Sequence, residues 1–402
     1  MTHNTQKIRV IHIITRLNTD NTDGAAMMLY KLMAHTDRHR FEPIVISLDG
    51  EAELSNRIRA HGIDVYSLDM HHNITAGWQI FKLTQLLRNL QPDIIQGWMY
   101  HGNLAASLAN LSLGNHHAVL WNIHHALPAL NKEARTTRWV IELAAKRSST
   151  PEHIIYNTYL SADQHTALGY DDQRSLVIPN GFDTQLFAPN HYQRNAMRHS
   201  LGIPADAFVI GLFAHYHPVK NHALFLEAAR LLLPHQPNVH FILAGRGVTE
   251  NNPKLQYLLN KMPTKQNLHL LGGRKDIPHL MNALDLYTLT SSYGEGFPES
   301  VAEAMACGIP CVTTDVSDLA RIIGNTGQCL PVQDTTPSAL AFAWLEWMNA
   351  GDAWRQEVGS RAMQRIQQGY NIQTITDQYQ KTYQRLVEDQ QMSRMTLVTH
   401  LP

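Results

Sequence analysis

The sequence predicts an α/β protein with two doubly wound parallel sheets. Short apolar, β-branched runs alternate with longer segments of helical period along the chain, which is the pattern of parallel strands covered by helices on both faces. The 402 residues are too many for one compact core and enough for two domains. Between the two sets of alternations, IPNGFDTQLFAPN at residues 178–190 collects Pro, Asn, Gly and Asp and predicts a hinge.

Thirteen apolar runs predict the strands. Those before the hinge are IRVIHII, FEPIVISL, VYSL, DIIQGW, AVLWNIH, HIIYN and SLVIPN. Those after it are FVIGLFA, VHFILAG, LHLLG, LYTLTS, CVTTD and CLPV. Between strands, NHALFLEAARLLLPH has the apolar spacing of a helix lying on a sheet, with Asn221 as its N-cap.

These elements predict a first domain at residues 1–182 and a second at residues 183–371. A polar segment at residues 372–390 follows and predicts a C-terminal helix. Its apolar stripe consists of Ile375, Tyr379, Tyr383 and Leu386. The helix either stays on the second domain or crosses back to complete the first.

Composition excludes several function classes. Hydrophobic residues make up 44% of the chain and charged residues 17%, with a net charge of −1, so neither disorder nor nucleic-acid binding is expected. No apolar run approaches the roughly 20 residues that span a bilayer, and we expect the chain to remain cytoplasmic. The three cysteines and 24 scattered histidines show no ligand spacing, so no metal site is expected.

The stretch SSYGEGFPESVAEAMACGIPCVTTD concentrates acidic side chains between two predicted strands. It contains Glu295, Glu299 and Glu303. Pro298 suits the first position of a helix whose free N–H groups face the carboxyl edge of the sheet, where ligands bind and anions are attracted. The stretch therefore predicts a phosphate site.

Glu295 and Glu303 lie eight positions apart, about 12 Å along a helix. This reach suits two hydroxyl-bearing groups joined by a diphosphate, as in a nucleotide sugar, because a carboxylate accepts strong hydrogen bonds from hydroxyls. The alternative is that all three glutamates are solvated on an exposed turn.

The stretch EGFPESVAEAMACGIPCVTTD resembles the signature of the retaining GT-B glycosyltransferases of family four. Further resemblance lies in WMYHGNLAASLA, WNIHHA, ALGYDDQRSLVIPNGFD, HPVKNHALFLEAA, HFILAGRGV and NALDLYTLTSSYGEGFP. The resemblance implies the GT-B fold, in which two Rossmann-like domains face each other across a cleft. It also implies a metal-independent, retaining transfer that uses a nucleoside diphosphate sugar as donor and requires no cofactor.

The resemblance assigns roles to residues of the second domain. Glu303 would hold the ribose hydroxyls and Glu295 the transferred sugar, while the backbone N–H groups of Gly296 and Phe297 face sugar or phosphate. Lys220 would neutralise the diphosphate, because a fixed cation stabilises the charge that develops on the leaving group.

Four further residues complete the predicted site. Arg246 and Arg274 would line the base and phosphate pocket. In the first domain, His125 would lie near the reacting sugar, donating to a hydroxyl or steadying the leaving phosphate. Gly24 would let backbone approach the donor or acceptor.

The sequence departs from the family pattern at several positions. His215 stands where an arginine usually helps to clamp the diphosphate, and His124 replaces a frequent arginine. In the first loop, Asp23 replaces a common glycine and Ala26 a common glutamate. His215 would take the place of the clamping arginine in donor binding when it is protonated, but its charge would be lost near neutral pH.

Three functions follow from these observations. The first is sugar transfer to a hydroxyl of a glycan or lipid-linked acceptor, as in bacterial polysaccharide or glycoconjugate biosynthesis. The second is a nucleotide-sugar-binding scaffold that has lost turnover, and the third is a sugar-nucleotide epimerase.

Membrane contact is a separate question. The segment NKEARTTRWVIELAAKRSS at residues 131–149 combines basic and apolar side chains. It is either a basic amphipathic helix resting at the inner face of the membrane or a helix with a solvated face.

Overall fold

The computed structural model describes residues 7–17, 24–69, 76–127, 129–293 and 295–399. The chain divides into two compact units. The first comprises Met1–Gly181 and Ile372–Pro402, and the second comprises Phe182–Asn371. The change from one unit to the other therefore falls within the Pro-, Asn- and Gly-rich stretch at residues 178–190.

The first unit contains a parallel seven-stranded sheet. Its strands are β1 (Ile8–Ile14), β2 (Phe41–Ser47), β3 (Asp64–Ser67), β4 (Ile94–Trp98), β5 (Ala118–Ile123), β6 (His153–Tyr156) and β7 (Ser175–Val177). Their order across the sheet is β3-β2-β1-β4-β5-β6-β7. All seven strands predicted before the hinge are confirmed.

Helices connect these strands. They are α1 (Gly24–His35), α2 (Glu53–Arg59), α3 (Ala76–Leu90), α4 (Met99–Ser112), α5 (Arg135–Arg147) and α6 (Tyr159–Ala167). Every residue of β4 and β5 is buried, because helices cover both faces of the sheet. This is why the central strands are continuous apolar runs rather than alternating ones.

The second unit contains a parallel six-stranded sheet. Its strands are β8 (Phe208–Phe213), β9 (Val239–Ala244), β10 (Leu268–Leu270), β11 (Leu286–Leu289), β12 (Cys311–Thr314) and β13 (Gly327–Leu330). The order is β10-β9-β8-β11-β12-β13, and the six strands predicted after the hinge are confirmed.

Eight α-helices belong to the described part of the second unit. They are α7 (His191–Ser200), α8 (His222–Leu232), α9 (Pro253–Leu259), α10 (Ile277–Asn282), α11 (Glu299–Ala306), α12 (Leu319–Ile323), α13 (Pro337–Asn349) and α14 (Asp352–Gly369). The predicted N-cap of α8 is confirmed, since the Asn221 side chain accepts from the backbone N–H of Leu224. Short 3-10 turns occur at Leu130–Lys132, Asp172–Arg174, Pro218–Lys220 and Val332–Asp334.

The last helix, α15 (Ile372–Thr399), belongs to the first unit. The side chains of its predicted apolar stripe lie in the same hydrophobic cluster as residues of β1, β2 and α1. Two hydrogen bonds join the helix to the sheet, from Tyr383 Oη to Gln96 Oε1 (2.5 Å) and from Asn122 Nδ2 to Tyr379 Oη (2.8 Å). The helix continues beyond residue 390, where the sequence pattern ended.

Each sheet has one position at which the chain reverses its direction of winding. In the first unit this position lies between β1 and β4, and in the second it lies between β8 and β11. Loops that leave the carboxyl ends of such neighbouring strands turn away from each other and leave a crevice in which ligands bind. Within the described residues, no helix is both long enough and apolar enough to cross a membrane.

Candidate functional site

The crevice of the second unit brings together two of the predicted residues. Lys220 lies in the loop after β8, and Glu295 lies in the loop after β11. Lys220 Nζ and Glu295 Oε1 are 2.5 Å apart, with side chains 19% and 9% exposed. The two charges therefore form a nearly buried ion pair at the point where the sheet topology predicts ligand binding.

Backbone and hydroxyl contacts hold this ion pair in place. The Ser291 hydroxyl donates to the same Glu295 oxygen that contacts Lys220. Thr290 Oγ1 donates to the carbonyl oxygen of Lys220 (2.8 Å) and lies 3.1 Å from that of Asn221. Because these bonds join the loop after β8 to the loop after β11, they hold the Lys220 backbone and the Glu295 carboxylate in place.

His215 lies at the start of the loop that carries Lys220. Burial lowers the pKa of His215, and the positive charges of Lys220, His217 and Arg246 lower it further, while Glu295 acts in the opposite direction. The imidazole is therefore neutral near neutral pH. It does not supply the permanent charge that an arginine would supply at this position.

The residues after Glu295 build the start of α11. Phe297 is buried, with its ring 5.2 Å from the ring of Phe182 and 5.7 Å from that of Tyr370. The carbonyl oxygen of Gly296 accepts a hydrogen bond from Ser317 Oγ (2.6 Å). The helix begins at Glu299 with Pro298 as its N-cap, one residue later than the sequence suggested. Glu303 lies one turn into α11 and is half-buried.

Arg246 and Arg274 follow β9 and β10, on one side of Lys220, and both are exposed. Arg274 is not a free cation, because Asp276 accepts from its Nε (2.7 Å) and Nη2 (2.5 Å). This pairing raises the pKa of Arg274 and lowers the pKa of Asp276. The sequence analysis identified the arginine but not the carboxylate that partly neutralises it.

A glycine allows the loops after β8 and β9 to pack closely. Gly245 has a φ of +154°, and a Cβ at this position would lie 2.0 Å from the carbonyl oxygen of Ala214. No side chain fits there without moving backbone. The close approach sets where the next residue, Arg246, leaves the sheet relative to the loop that carries Lys220.

His125 follows β5 in the first unit and lies near two polar side chains. Its Nδ1 lies 3.2 Å from Tyr100 Oη, and its Nε2 lies 3.7 Å from Glu133 Oε1. Tyr100 Oη also lies 2.8 Å from His165 Nε2. Burial lowers the pKa of His125, while the charge of Glu133 acts in the opposite direction. The sequence analysis missed these partners, although Tyr100 follows the carboxyl end of β4.

His124 packs its ring against Trp98, a buried residue of the first unit. Its ring lies 5.4 Å from that of Trp98, and its backbone N–H contacts Met99 Sδ at 3.4 Å. Burial lowers the pKa of His124 to about 3. It is therefore neutral and does not replace the charge of the arginine that is frequent at this position in the family.

Gly24 is the first residue of α1, and a Cβ added to it would meet no atom within 4 Å. The structure thus gives no packing reason for a glycine at this position. Ala26 is buried in α1. Asp23 lies outside the described residues.

The predicted amphipathic segment forms α5, but much of its apolar side packs against the core of the first unit. Val140 and Ile141 are buried in the core of the first unit, and Leu143 is partly buried against it. Trp139 remains 64% exposed. The helix therefore offers one aromatic side chain and its basic residues, rather than a continuous apolar face, to a surface.

Two family models match the chain. Residues 193–365 match the model described as "Glycosyl transferases group 1", and residues 22–186 match the model described as "Glycosyltransferase Family 4". The two matched segments follow one another and together extend over most of the chain.

Two curated relatives are similar over part of the chain. The Escherichia coli UDP-Gal:alpha-D-GlcNAc-diphosphoundecaprenol alpha-1,3-galactosyltransferase is 34% identical over 157 residues, which are 39% of this chain and 40% of the relative. The Rhizobium meliloti lipopolysaccharide core biosynthesis mannosyltransferase LpsB is 32% identical over 158 residues, 38% of this chain and 44% of the relative. The matched region thus spans less than half the length of either relative.

The fold is similar to that of a solved protein over nearly the whole chain. The crystal structure of Anabaena HepE in complex with UDP has a TM-score of 0.79, covering 94% of this chain and 100% of HepE at 21% sequence identity. Together with the two parallel sheets and the two family matches, this similarity confirms the predicted GT-B fold class.

Proposed function

We propose that this chain, which belongs to the group 1 glycosyltransferases of family four, transfers a sugar from a nucleoside diphosphate sugar to a hydroxyl of a glycan or lipid-linked acceptor. The observation that carries the proposal is the Lys220–Glu295 ion pair in the crevice between β8 and β11. A diphosphate needs a cation, and a sugar needs a hydrogen-bond acceptor. The pair presents both within one short contact.

In this proposal the bound donor replaces the contact between Lys220 and Glu295 with one contact to each of them. Each charge compensates the other before the donor arrives, which removes the cost of burying either one alone. On binding, Lys220 turns to the diphosphate, and the Glu295 carboxylate accepts from a hydroxyl of the transferred sugar. The Ser291 hydroxyl, which already donates to Glu295 Oε1, holds the carboxylate in position.

The proposed reaction retains the configuration of the sugar. The bond between the anomeric carbon and the diphosphate oxygen breaks, and the acceptor oxygen bonds to that carbon on the same face. The acceptor proton passes to the departing diphosphate. Lys220 stabilises the negative charge that grows on this leaving group, so the proposed transfer requires no metal ion.

Uridine diphosphate sugars are the first donors to test. The name of the E. coli relative includes UDP-Gal and an undecaprenol-linked diphosphate sugar, and the HepE crystal contains UDP. We extend this chemistry to the present chain as a proposal. A thermal-shift series with nucleoside diphosphate sugars would rank donors, because a ligand that binds only the folded form raises its melting temperature.

Replacement of Glu295 with Gln tests the proposed function. The amide keeps the size of the side chain but loses the charge, so transfer is expected to fall by about 10²–10³-fold, while the thermal shift with donor mostly survives. Glu299→Gln is the matched control, since it removes the same charge from the first turn of α11. Undiminished transfer by Glu295→Gln, or equal losses in both variants, would contradict the assignment.

A second candidate function is a binding subunit without turnover. The observation that favours it is His215, whose neutral imidazole leaves the diphosphate with less positive charge than an arginine would give. Such a protein would bind donor but show neither transfer to acceptor nor slow hydrolysis of the donor. Incubating the wild-type chain with its best donor and following release of free sugar and nucleoside diphosphate separates the two functions.

A further inference from the structure

A row of polar side chains runs through the first unit behind His125. It begins at the backbone carbonyl of Ser161, passes through His165 on α6 and Tyr100 on α4, and ends at His125 after β5. The successive distances are 2.7, 2.8 and 3.2 Å. Both Tyr100 and His165 are buried, so bulk water does not compete for their side-chain hydrogen bonds.

The first contact decides the proton position on His165. Its Nδ1 lies 2.7 Å from the carbonyl oxygen of Ser161, and an oxygen without a proton can only accept, so Nδ1 carries the hydrogen. Burial lowers the pKa of His165 to about 4. The ring is therefore neutral near neutral pH, and its Nε2 has a free lone pair.

The second contact decides the direction of the Tyr100 hydroxyl. Because Nε2 of His165 has no proton, the hydroxyl 2.8 Å away must donate to it. Burial raises the pKa of Tyr100 well above its usual value, so the phenol keeps this proton. The hydroxyl has no second proton, and its oxygen can only accept from His125 Nδ1.

We propose that Tyr100 and His165 are positioning residues that fix the proton of neutral His125 on Nδ1 and leave Nε2 unprotonated. The substrate group that meets Nε2 is then a hydroxyl, which donates, rather than a phosphate oxygen, which cannot. The proton assignment stands on the contacts of the first unit alone. Its meaning for catalysis rests on the proposed sugar transfer.

One neighbour of the ring acts against this assignment, because a carboxylate near Nε2 favours a proton there, but its oxygen lies beyond hydrogen-bond distance. The charged group that faces Nε2 is Glu133, at 3.7 Å. The side chain of His125 is 36% exposed, so Nε2 is accessible to a ligand. On the other side of the residue, the His125 carbonyl oxygen accepts from Ser161 Oγ (2.7 Å), which anchors the backbone from the same helix that carries His165.

Nitrogen NMR of the full chain labelled at histidine tests the proton position directly. The ring nitrogens of His125, identified by the signals missing from His125→Gln, are expected to show a protonated Nδ1 and an unprotonated Nε2 at pH 8. Tyr100→Phe removes the acceptor for Nδ1–H and is expected to shift the ring toward the other tautomer. A protonated Nε2 in the wild-type chain would overturn the proposal.

Two matched controls separate positioning from packing. Tyr170→Phe removes a buried hydroxyl in the same core, one that donates to the Ile141 carbonyl (3.2 Å), and should leave the His125 signals unchanged. His165→Gln keeps an acceptor for Tyr100 and should preserve the tautomer, whereas His165→Leu should not. If Tyr100→Phe and Tyr170→Phe give the same His125 signals, the inference is wrong.

Kinetics add a second measurement. Tyr100→Phe is expected to lower kcat for transfer by about tenfold, with a smaller change in the donor KM, while Tyr170→Phe keeps kcat. A wild-type chain with the expected tautomer but without transfer would contradict the proposed function and leave the proton assignment intact. An active chain with the opposite tautomer would contradict the proton assignment and leave the proposed function intact.

Discussion

The two sheet edges that carry the candidate residues differ in how they use charge. In the second unit, Lys220 and Glu295 form an ion pair whose Nζ and Oε1 atoms are 2.5 Å apart. In the first unit, His125, Tyr100 and His165 are joined by hydrogen bonds, and burial lowers the pKa of both imidazoles. One edge therefore offers permanent charges, and the other offers neutral donors and acceptors.

The difference depends on which groups lie next to each ionisable side chain once it is buried. A buried charge persists when an opposite charge compensates it, as Glu295 does for Lys220. Burial disfavours the protonated form of an imidazole, and at His125 this effect is larger than the opposing effect of the Glu133 charge. The charged edge thus suits a diphosphate, whose charge is permanent, and the neutral edge suits sugar or acceptor hydroxyls.

The largest expected effect comes from breaking the charged edge. Lys220→Gln should lower transfer by about 10²–10³-fold, and it should destabilise the chain by about 2 kcal/mol because Glu295 is left without its counter-charge. The measurements are transfer rate and urea unfolding. Lys220→Gln combined with Glu295→Gln should recover most of the stability but none of the transfer. If the double variant is as unstable as the single one, the ion pair does not stabilise the fold.

Acid should distinguish the two units in stability. Burial lowers the pKa of His12 and His124 to about 3 and that of His165 to about 4 in the first unit, and that of His222 and His269 to about 4 in the second. The unfolded chain takes up these protons below about pH 6.5 while the folded chain does not. The free energy of unfolding is therefore highest above about pH 6.5 and decreases as the pH falls below that value.

The expected loss is about 2 kcal/mol per buried histidine at pH 5, and the first unit should lose more than the second. Hydrogen exchange of each unit at pH 7.5 and pH 5, corrected for intrinsic rates, measures this. His12→Gln should reduce the acid sensitivity of the first unit, whereas replacement of the exposed His39 with Gln should not. Equal acid sensitivity in His12→Gln and wild type would count against the burial argument.

His215 offers a way to sharpen the contrast by adding charge to the charged edge. Because the pKa of His215 is lowered, the ring is neutral at pH 7.5, and His215→Arg should tighten nucleoside diphosphate binding by about tenfold. The gain should shrink as the pH falls, because protonation of the wild-type imidazole supplies part of the same charge. His235→Arg, beyond the far end of α8, is the charge-matched control, and titration calorimetry at both pH values gives the comparison.

The smallest expected effect concerns the outer surface of the first unit. We propose that the basic residues and Trp139 of α5 give weak binding to anionic vesicles, with each basic residue contributing about 1 kcal/mol. Arg135→Gln should then reduce vesicle binding about fivefold at low salt and have no effect at high salt. If the wild-type protein does not sediment with anionic vesicles, or does so equally at low and high salt, the proposed membrane contact is wrong.

Local sequence signals were sufficient for the elements and for the residues that end strands. Period and composition predicted all thirteen strands, because each strand core is a short apolar run bounded by turn residues. The resemblance to family four singled out Lys220 and His125, and each of them, like Glu295, follows a predicted strand whose carboxyl end lies at one edge of its sheet. These inferences need only neighbouring residues and the rules of parallel sheets.

The partners of those residues could not be predicted from local sequence in the same way. Tyr100 and His165 are separated by 65 positions yet share a hydrogen bond, and the contact between Lys220 and Glu295 spans 75 positions. The pattern of α15 fitted a helix on either unit, and its stripe is buried on the first. No local spacing encodes such contacts, because they depend on how several strands and helices pack around one core.

The sequence by itself determined the class of fold, the order of strands and helices, and which side chains end strands at a carboxyl edge. Only the tertiary structure decided which of these side chains are charged and which are neutral. Burial and the identity of the nearest neighbour set the protonation of an ionisable group, and both are properties of the folded chain. The charged edge of the second unit and the neutral edge of the first are thus products of packing.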